Sequence, residues 1–496
     1  MAKFYRFEEG IDKDGVSSAY AIKTGLAKDG GLYMPESIPA ISYEEIEELV
    51  ALPYTERAAR VLSKFLSDYT YEELLEDAST AYSKEKFGNS PAPVTDLGNG
   101  VYMLELWHGP TSAFKDMALQ IMPRLFVRAL RKCDEKRCAM ILVATSGDTG
   151  KAALEGYRDV PGTKIKVFYP VDGVSRVQKL QMQTQEGNNV SVSGIVGNFD
   201  DAQTGVKRIF ADADMAKLLD EAGVFLSSAN SINWGRLVPQ IVYYVSAYCD
   251  MIASGAIALG DKIDVCVPTG NFGNIFAGYI AKLMGLPIER LVCASNKNNV
   301  LTDFFRTGVY DRNRTFHATM SPSMDILISS NLERLLYVTL GADKTRGYME
   351  KLNNDGRYEL TGEDLALISE SFVGYYTTEE QTAKTIADTY KNKNCLIDTH
   401  TAVAIHATDA YMNDYKAERK IVAVSTASAY KFARDVYRSL TAADADGDLE
   451  ALEALHNLTG VDIPTPLASI LNKEIRHTGT IDKSEMENAT LDFARD

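Results

Sequence analysis

Residues 140–156 read MILVATSGDTGKAALEG. An apolar run of strand length, Met140 to Ala144, opens into small and polar residues, Thr145 to Gly150, and an alanine-rich helical stretch follows. Strand, glycine-rich loop and helix in this order form the repeating unit of a parallel sheet covered by helices. Glycines and hydroxyls at a helix start also leave backbone N–H groups open to an anion. The stretch imitates a nucleotide-binding P-loop without being one. That motif needs glycine where Thr145 stands and Ser or Thr where Ala152 stands.

The same unit recurs on both sides. Short apolar runs lie at VYMLEL (101–106), KIKVFY (164–169), VSVSGIV (190–196), VFLSS (224–228), IDVCVP (263–268), RLVCAS (290–295) and KIVAVST (420–426). Stretches of helical period separate most of them, such as Met117, Ala118, Ile121, Met122, Leu125, Phe126 and Ala129. The expected fold class is α/β, with mostly parallel sheets flanked by helices, and ligands are expected at the carboxyl ends of the strands. Five stretches are expected: an N-terminal domain over 1–100, an α/β body over 101–299, a helical insertion over 300–390, a return to the body over 391–440 and a tail over 441–496. SYEEIEELVAL (42–52) and YTERAARVLSKFL (54–66) read as amphipathic helices of the first.

Bulk composition narrows the function. The chain has 496 residues, 45% of them hydrophobic, and a formal charge of −16. That is too apolar for a disordered polyanion and too acidic for a nucleic-acid surface. The longest apolar stretch, Leu237 to Gly260, is broken by Asp250, so no membrane span is expected. MAKFYRFEEGID has no apolar core, so no signal peptide is expected. The six cysteines form no CxxC and read as reduced thiols of a cytoplasmic protein. The histidines show no ligand spacing, so no metal centre is expected. His108, beside the lysine loop, and His400, in DTHTAVA, are each open to a site role or a structural one.

Four loops after strands carry the chemistry. In LELWHGPTSAFKDMALQ, a helix is expected to start near Thr111 or Ser112, which places Lys115 in its first turn. The positive end of a helix and burial both disfavour an ammonium, and this suits an amine that acts as a nucleophile. The second loop is Thr145 to Gly150. The third, Asn230-Ser231-Ile232-Asn233-Trp234-Gly235-Arg236, offers amides, a hydroxyl and a guanidinium to a phosphate or carboxylate. The fourth, Thr269-Gly270-Asn271-Phe272-Gly273-Asn274, lets backbone N–H groups approach a dianion. A lysine amine together with a phosphate cradle suits a Schiff-base cofactor that carries a phosphate, pyridoxal 5′-phosphate. The second anion grip points to an anionic small-molecule substrate. Oligomeric state is open.

At these residues the chain resembles the threonine synthase family, within the pyridoxal-phosphate fold type II superfamily that includes the tryptophan synthase β-subunit. The resemblance runs from GLAKDGGLYMPESIP (25–39) through HGPTSAFKD, ATSGDTG, NSINWGR and PTGNFGN to STASAYKF (425–432). It departs in FYRFEEGID, which lacks the family's Ser-Thr-Arg-Gly stretch, and at Ser428-Ala429-Tyr430, where many members have His-Pro-Ala. The resemblance implies two lobes with the cofactor between them. It implies Lys115 as the Schiff-base lysine and proton-transfer base. Gly270, Asn271, Phe272, Gly273 and Asn274 are implied as the cofactor phosphate cradle, Asp148 as the residue near the cofactor's 3′-oxygen, and Thr426 as the hydroxyl facing the pyridine nitrogen. Ser146 and Thr149 are implied at the substrate carboxylate, and Asn230, Ser231 and Arg236 at the substrate phosphate. The implied reaction is conversion of O-phospho-L-homoserine and water to L-threonine and phosphate. The same residues would also serve a phospholyase releasing 2-oxobutyrate, or a phospho-ligand-binding protein without catalysis.

Overall fold

The computed structural model describes residues 4–5, 15–27, 30–145, 147–172, 174–416 and 418–496. All eight apolar runs are strands, and they divide between two sheets. The larger sheet has the order Phe372–Tyr376, Ile288–Ser295, Ile263–Pro268, Ile421–Ser425, Val101–Glu105 and Val94–Asp96, parallel except for its last pair. The smaller has the order Thr480–Asp482, Val190–Val196, Thr163–Pro170, Cys138–Ala144 and Val224–Ser227, parallel throughout. Strands buried on both faces read as continuous apolar runs rather than alternating ones. Ile263–Pro268 and Ile421–Ser425 are buried at every residue.

In the smaller sheet the two faces separate with the period of two that a strand imposes. Ile141, Val143, Ile165 and Val167 enter the main core. Met140, Leu142 and Phe168 point the other way, onto Ala202, Val206 and Met486. The apolar stretch after Leu237 is the central helix Pro239–Ala253, buried at every residue except Asp250, Ile252 and Ala253. Among the described residues no helix is long and apolar enough to cross a membrane. The N-terminal helices Tyr43–Val50 and Tyr54–Phe65 pack on this central helix. Arg57, buried, fastens them to it by donating to Leu49 O (2.8 Å), Ser246 Oγ (2.8 Å) and Asp250 Oδ1 (2.6 Å).

Four expectations change. The periodic stretch 117–129 is not one helix but two, Asp116–Leu119 and Met122–Lys132, with Pro123 opening the second. Lys115 is not within a helical turn begun at Thr111; it is the residue that precedes Asp116–Leu119. The Asp116 carboxylate accepts from Thr111 N–H (2.8 Å) and Thr111 Oγ1 (2.7 Å), and Ser112 has φ +57°, so 109–115 closes into a loop instead. The stretch 300–390 is not only helical. It holds the antiparallel pair Val309–Asp311 and Arg357–Glu359, and it returns Phe372–Tyr376 to the edge of the larger sheet. The tail likewise adds Thr480–Asp482 to the smaller sheet.

One glycine permits a close contact between helices. The helix Asp148–Tyr157 approaches so closely that a Cβ on Gly156 would stand 2.0 Å from the carbonyl oxygen of Leu119. Gly156→Ala is expected to cost about 1–3 kcal/mol by overpacking, seen as a lower urea midpoint. Gly347→Ala, in the helix Ala342–Asp355 with nothing within 4 Å of its added methyl, is expected to stabilise by up to about 1 kcal/mol.

Candidate active site

The lysine loop, the fourth loop and Thr426 follow strands of the larger sheet, while the loops at 145–150 and 228–236 follow strands of the smaller one. The carboxyl edges of the two sheets thus meet, and their polar side chains close on one another there. Lys115 is held by stitching to the end of the neighbouring strand. Phe114 N–H donates to Thr426 O (2.8 Å), Ser428 N–H donates to Ser112 O (3.1 Å), and Leu106 N–H donates to Ser425 O (3.0 Å).

Asp148, the first residue of its helix, comes from the opposite lobe. One carboxylate oxygen lies 3.9 Å from Lys115 Nζ and the other 2.9 Å from Lys431 Nζ. Gln178 Nε2 also donates to Asp148 (3.0 Å). Burial alone would push this carboxyl up, but Lys431 and Lys115 outweigh it and hold it well below the usual carboxylate range. Burial pushes the Lys115 amine down to about 8. Asp148 opposes that shift, and the positive charges of Arg236 and Lys431 add to it. The helix end expected to depress this amine is a single turn, and burial is the leading cause.

The fourth loop is built as an anion cradle. Phe272 takes a left-handed conformation (φ +64°) that opens the helix Gly273–Met284, and no side chain caps that helix. The N–H groups of its first turn therefore point outward without helical partners. Gly270 admits no side chain, since a Cβ there would meet Ser323 O at 2.8 Å. The Asn271 carbonyl accepts from Asn331 N–H (3.1 Å) and Nδ2 (3.0 Å), which fixes the loop from outside. Asn274 Oδ1 accepts from Tyr243 (2.7 Å) and Tyr244 (2.5 Å), and its buried Nδ2 has no hydrogen-bond partner among the described residues. An unsatisfied buried amide beside an open helix start suits an anion.

The third loop lies against this cradle, because a side chain at Gly273 would stand 3.8 Å from Ser231 Cβ. Arg236 is 4% exposed and donates to Ala229 O (2.7 Å), yet no carboxylate lies within 4 Å of it among the described residues. Burial lowers it to about 10, so it stays charged at neutral pH. Asn230 is exposed, and Ser231 Oγ meets Ser330 Oγ at 3.4 Å. Thr149 is half-buried on the Asp148 helix, and Ser146 lies outside the described residues. Thr426 is 5% exposed.

Sequence reasoning missed Lys431, Gln178 and Ser323, and left His400 open. Lys431 is wholly enclosed and also donates to Thr111 O (3.0 Å). Its signal was a lysine in an otherwise small and apolar run, STASAYKFA. His108 stacks on Trp107 and pairs with Glu105 (2.7 Å), the structural reading of that residue. Among the described residues no three His, Cys, Asp or Glu gather as metal ligands.

Two family models match the chain: "Threonine synthase N terminus" over residues 9–82 and "Pyridoxal-phosphate dependent enzyme" over 87–427. The threonine synthase of Eremothecium gossypii is 34% identical over a 520-residue alignment that covers 97% of this chain and 99% of that one. The chain belongs to the threonine synthase family of pyridoxal-phosphate-dependent enzymes. The solved structure of a threonine synthase from Brucella melitensis, described as bound to the cofactor, superposes with a TM-score of 0.87 at 33% identity and covers 100% of both chains. Human threonine synthase-like 1 is 41% identical over 433 residues, 85% of this chain. The chain spans only 57% of that relative's length.

The residues present fit the family's cofactor. The uncapped cradle and the free Asn274 amide suit its phosphate, and the depressed Lys115 amine suits its aldehyde. In the full-length apoprotein, acylation of Lys115 is expected to rise with pH through a midpoint of about 8, because only the neutral amine reacts. Asp148→Asn removes the charge that favours the ammonium, so its midpoint is expected below that of the parent. Mass spectrometry of the labelled Lys115 peptide reads both.

Proposed function

We propose that this member of the family converts O-phospho-L-homoserine and water to L-threonine and phosphate. Arg236 carries the reading: it is a buried guanidinium with no carboxylate within 4 Å among the described residues, on the loop beside the cradle and close enough to depress the Lys115 amine. A buried charge with no counter-ion is costly unless a ligand supplies one. A second anion grip beside the cofactor cradle suits a substrate that carries a phosphate.

The roles divide as follows. Gly270 to Asn274 would hold the cofactor phosphate, Asp148 would serve its 3′-oxygen and Thr426 its pyridine nitrogen. Ser146 and Thr149 take the substrate carboxylate, and Asn230, Ser231 and Arg236 take its phosphate. When bound, the cofactor serves as the sink for electrons released at the substrate's Cα. Lys115 Nζ removes the Cα proton and later returns it. An amine near 8 is part neutral at physiological pH and can do both. Arg236 holds the leaving phosphate, so that loss of the γ-oxygen proceeds from one geometry. Asp148 stays ionised throughout, because two lysines neutralise it, and so does not compete for the proton.

Incubation with O-phospho-L-homoserine is expected to release threonine and phosphate in equal amounts. 2-Oxobutyrate and ammonia without threonine would instead mark a phospholyase. Lys115→Ala is expected to lose at least about a thousandfold in turnover. Arg236→Gln is expected to lower kcat/KM about a hundredfold, mainly through KM, because it removes a charged partner of the substrate phosphate.

A further inference from the structure

We propose that Ser323, supplied by the stretch 300–390, is a positioning residue for the Lys115 amine, and that Asp398 and His400 hold it in register. The inference rests on the reading of Lys115 as the reactive amine. Ser323 sits in the short turn Pro322–Met324. Its Oγ is 3.4 Å from Lys115 Nζ and 3.4 Å from Asp148 Oδ2. A hydroxyl has one proton and two lone pairs. Asp148 is ionised and can only accept, so it takes the proton. The Ser323 oxygen then accepts an N–H from Lys115. An amine that donates one proton to Ser323 turns its lone pair away from that side, which orients the base whenever the amine is free.

The turn itself is held from several directions. Ser323 N–H donates to His400 Nε2 (3.1 Å). That nitrogen is therefore the unprotonated one, and the ring proton lies on Nδ1, donated to Asp398 Oδ2 (2.7 Å). Asp398 caps the helix Thr399–Tyr415 and also accepts from the N–H groups of His400 (2.9 Å) and Thr401 (3.0 Å), so the carboxylate cannot turn. The His400 ring is 3% exposed and packs on Phe432. On the opposite side Ser323 O lies over Gly270, which has room for no side chain. Ahead of the turn, Asn296 Nδ2 donates to Ser321 Oγ (3.0 Å) and Asp325 Oδ1 (2.8 Å), tying it to the end of the strand Ile288–Ser295. A chain segment fixed at both ends and from behind presents its one hydroxyl to the amine.

The charged groups facing Lys115 are Asp148, Lys431 and Arg236, on three other elements. A change at Ser323 leaves all of these charges in place, so its effect on Lys115 reads the hydroxyl alone. An ammonium donates a stronger hydrogen bond than an amine. Loss of the acceptor therefore disfavours the charged form.

The test uses the full-length chain. In the apoprotein, Ser323→Ala is expected to lower the pH midpoint of Lys115 acylation by about half a unit. Loaded with cofactor, the same variant is expected to turn over O-phospho-L-homoserine about tenfold more slowly, with KM within about threefold of the parent. Ser323→Thr, which keeps the hydroxyl, is expected to restore both values. His400→Ala, which leaves the hydroxyl but frees the turn, is expected to slow turnover without abolishing cofactor binding, followed by absorbance titration. An unchanged labelling midpoint and unchanged kcat in Ser323→Ala overturn the proposal, as does equal impairment of the Ala and Thr variants. If the parent makes no threonine, the functional reading fails, while the labelling arm still decides the role of Ser323.

Discussion

A carboxylate shared between two lysines joins the lobes of this protein. Asp148 belongs to the smaller sheet's loops, and Lys115 and Lys431 belong to the larger sheet's. All three are buried or nearly so, and a charge taken out of water is tolerable only when paired and hydrogen-bonded. Two cations around one anion leave a net positive charge at the seam. Burial lowers the Lys115 amine toward neutrality and the charges of Arg236 and Lys431 add to it, while the two lysines keep Asp148 ionised. The same imbalance would suit an anionic cofactor, which brings the missing negative charge. Removing one partner from such a group typically costs about 3–5 kcal/mol.

Around that contact the protein is positive where its surface is negative. The net charge of −16 gives no hint of Lys115, Lys431 and Arg236 gathered at one seam. Fields in a low-dielectric cleft are set by nearby charges and dipoles, not by the sum over the chain. The uncapped helix start after Phe272 and the buried Arg236, with no carboxylate within 4 Å among the described residues, therefore favour anions that the molecule as a whole repels.

The walls come from the two segments whose sequence patterns looked least like a site. The N-terminal helix Ser18–Thr24 touches the third loop, where Asn233 Nδ2 donates to Ile22 O (2.9 Å). Arg334, wholly buried in the helix Leu332–Leu340, donates to Tyr33 O (3.2 Å) and Ile232 O (2.6 Å), and it also bonds Asn331, which clasps the cradle loop. One guanidinium thus ties the N-terminal segment, the third loop and the cradle into a single frame. An arginine does this well because its donors fan out in a fixed plane.

The sequence by itself determined the eight strands, their parallel class and the four loops that follow them. Apolar runs of strand length and glycines at helix starts are local signals, set by the period of the backbone and by which residues tolerate its turns. It also marked Lys115 and the Phe272 cradle as candidates, since each lies in a loop that follows a strand, although the helical turn expected around Lys115 is absent. It could not show Lys431 as more than a lysine in a small-residue run, nor place Ser323 and His400 near Lys115, 208 residues from Ser323 along the chain. It left the edge strands Phe372–Tyr376 and Thr480–Asp482 unread inside stretches that look helical or irregular. Tertiary structure decided these because burial, pairing of charges and the partner of an edge strand are properties of what folds alongside a residue, and no spacing within a segment encodes its neighbour from another.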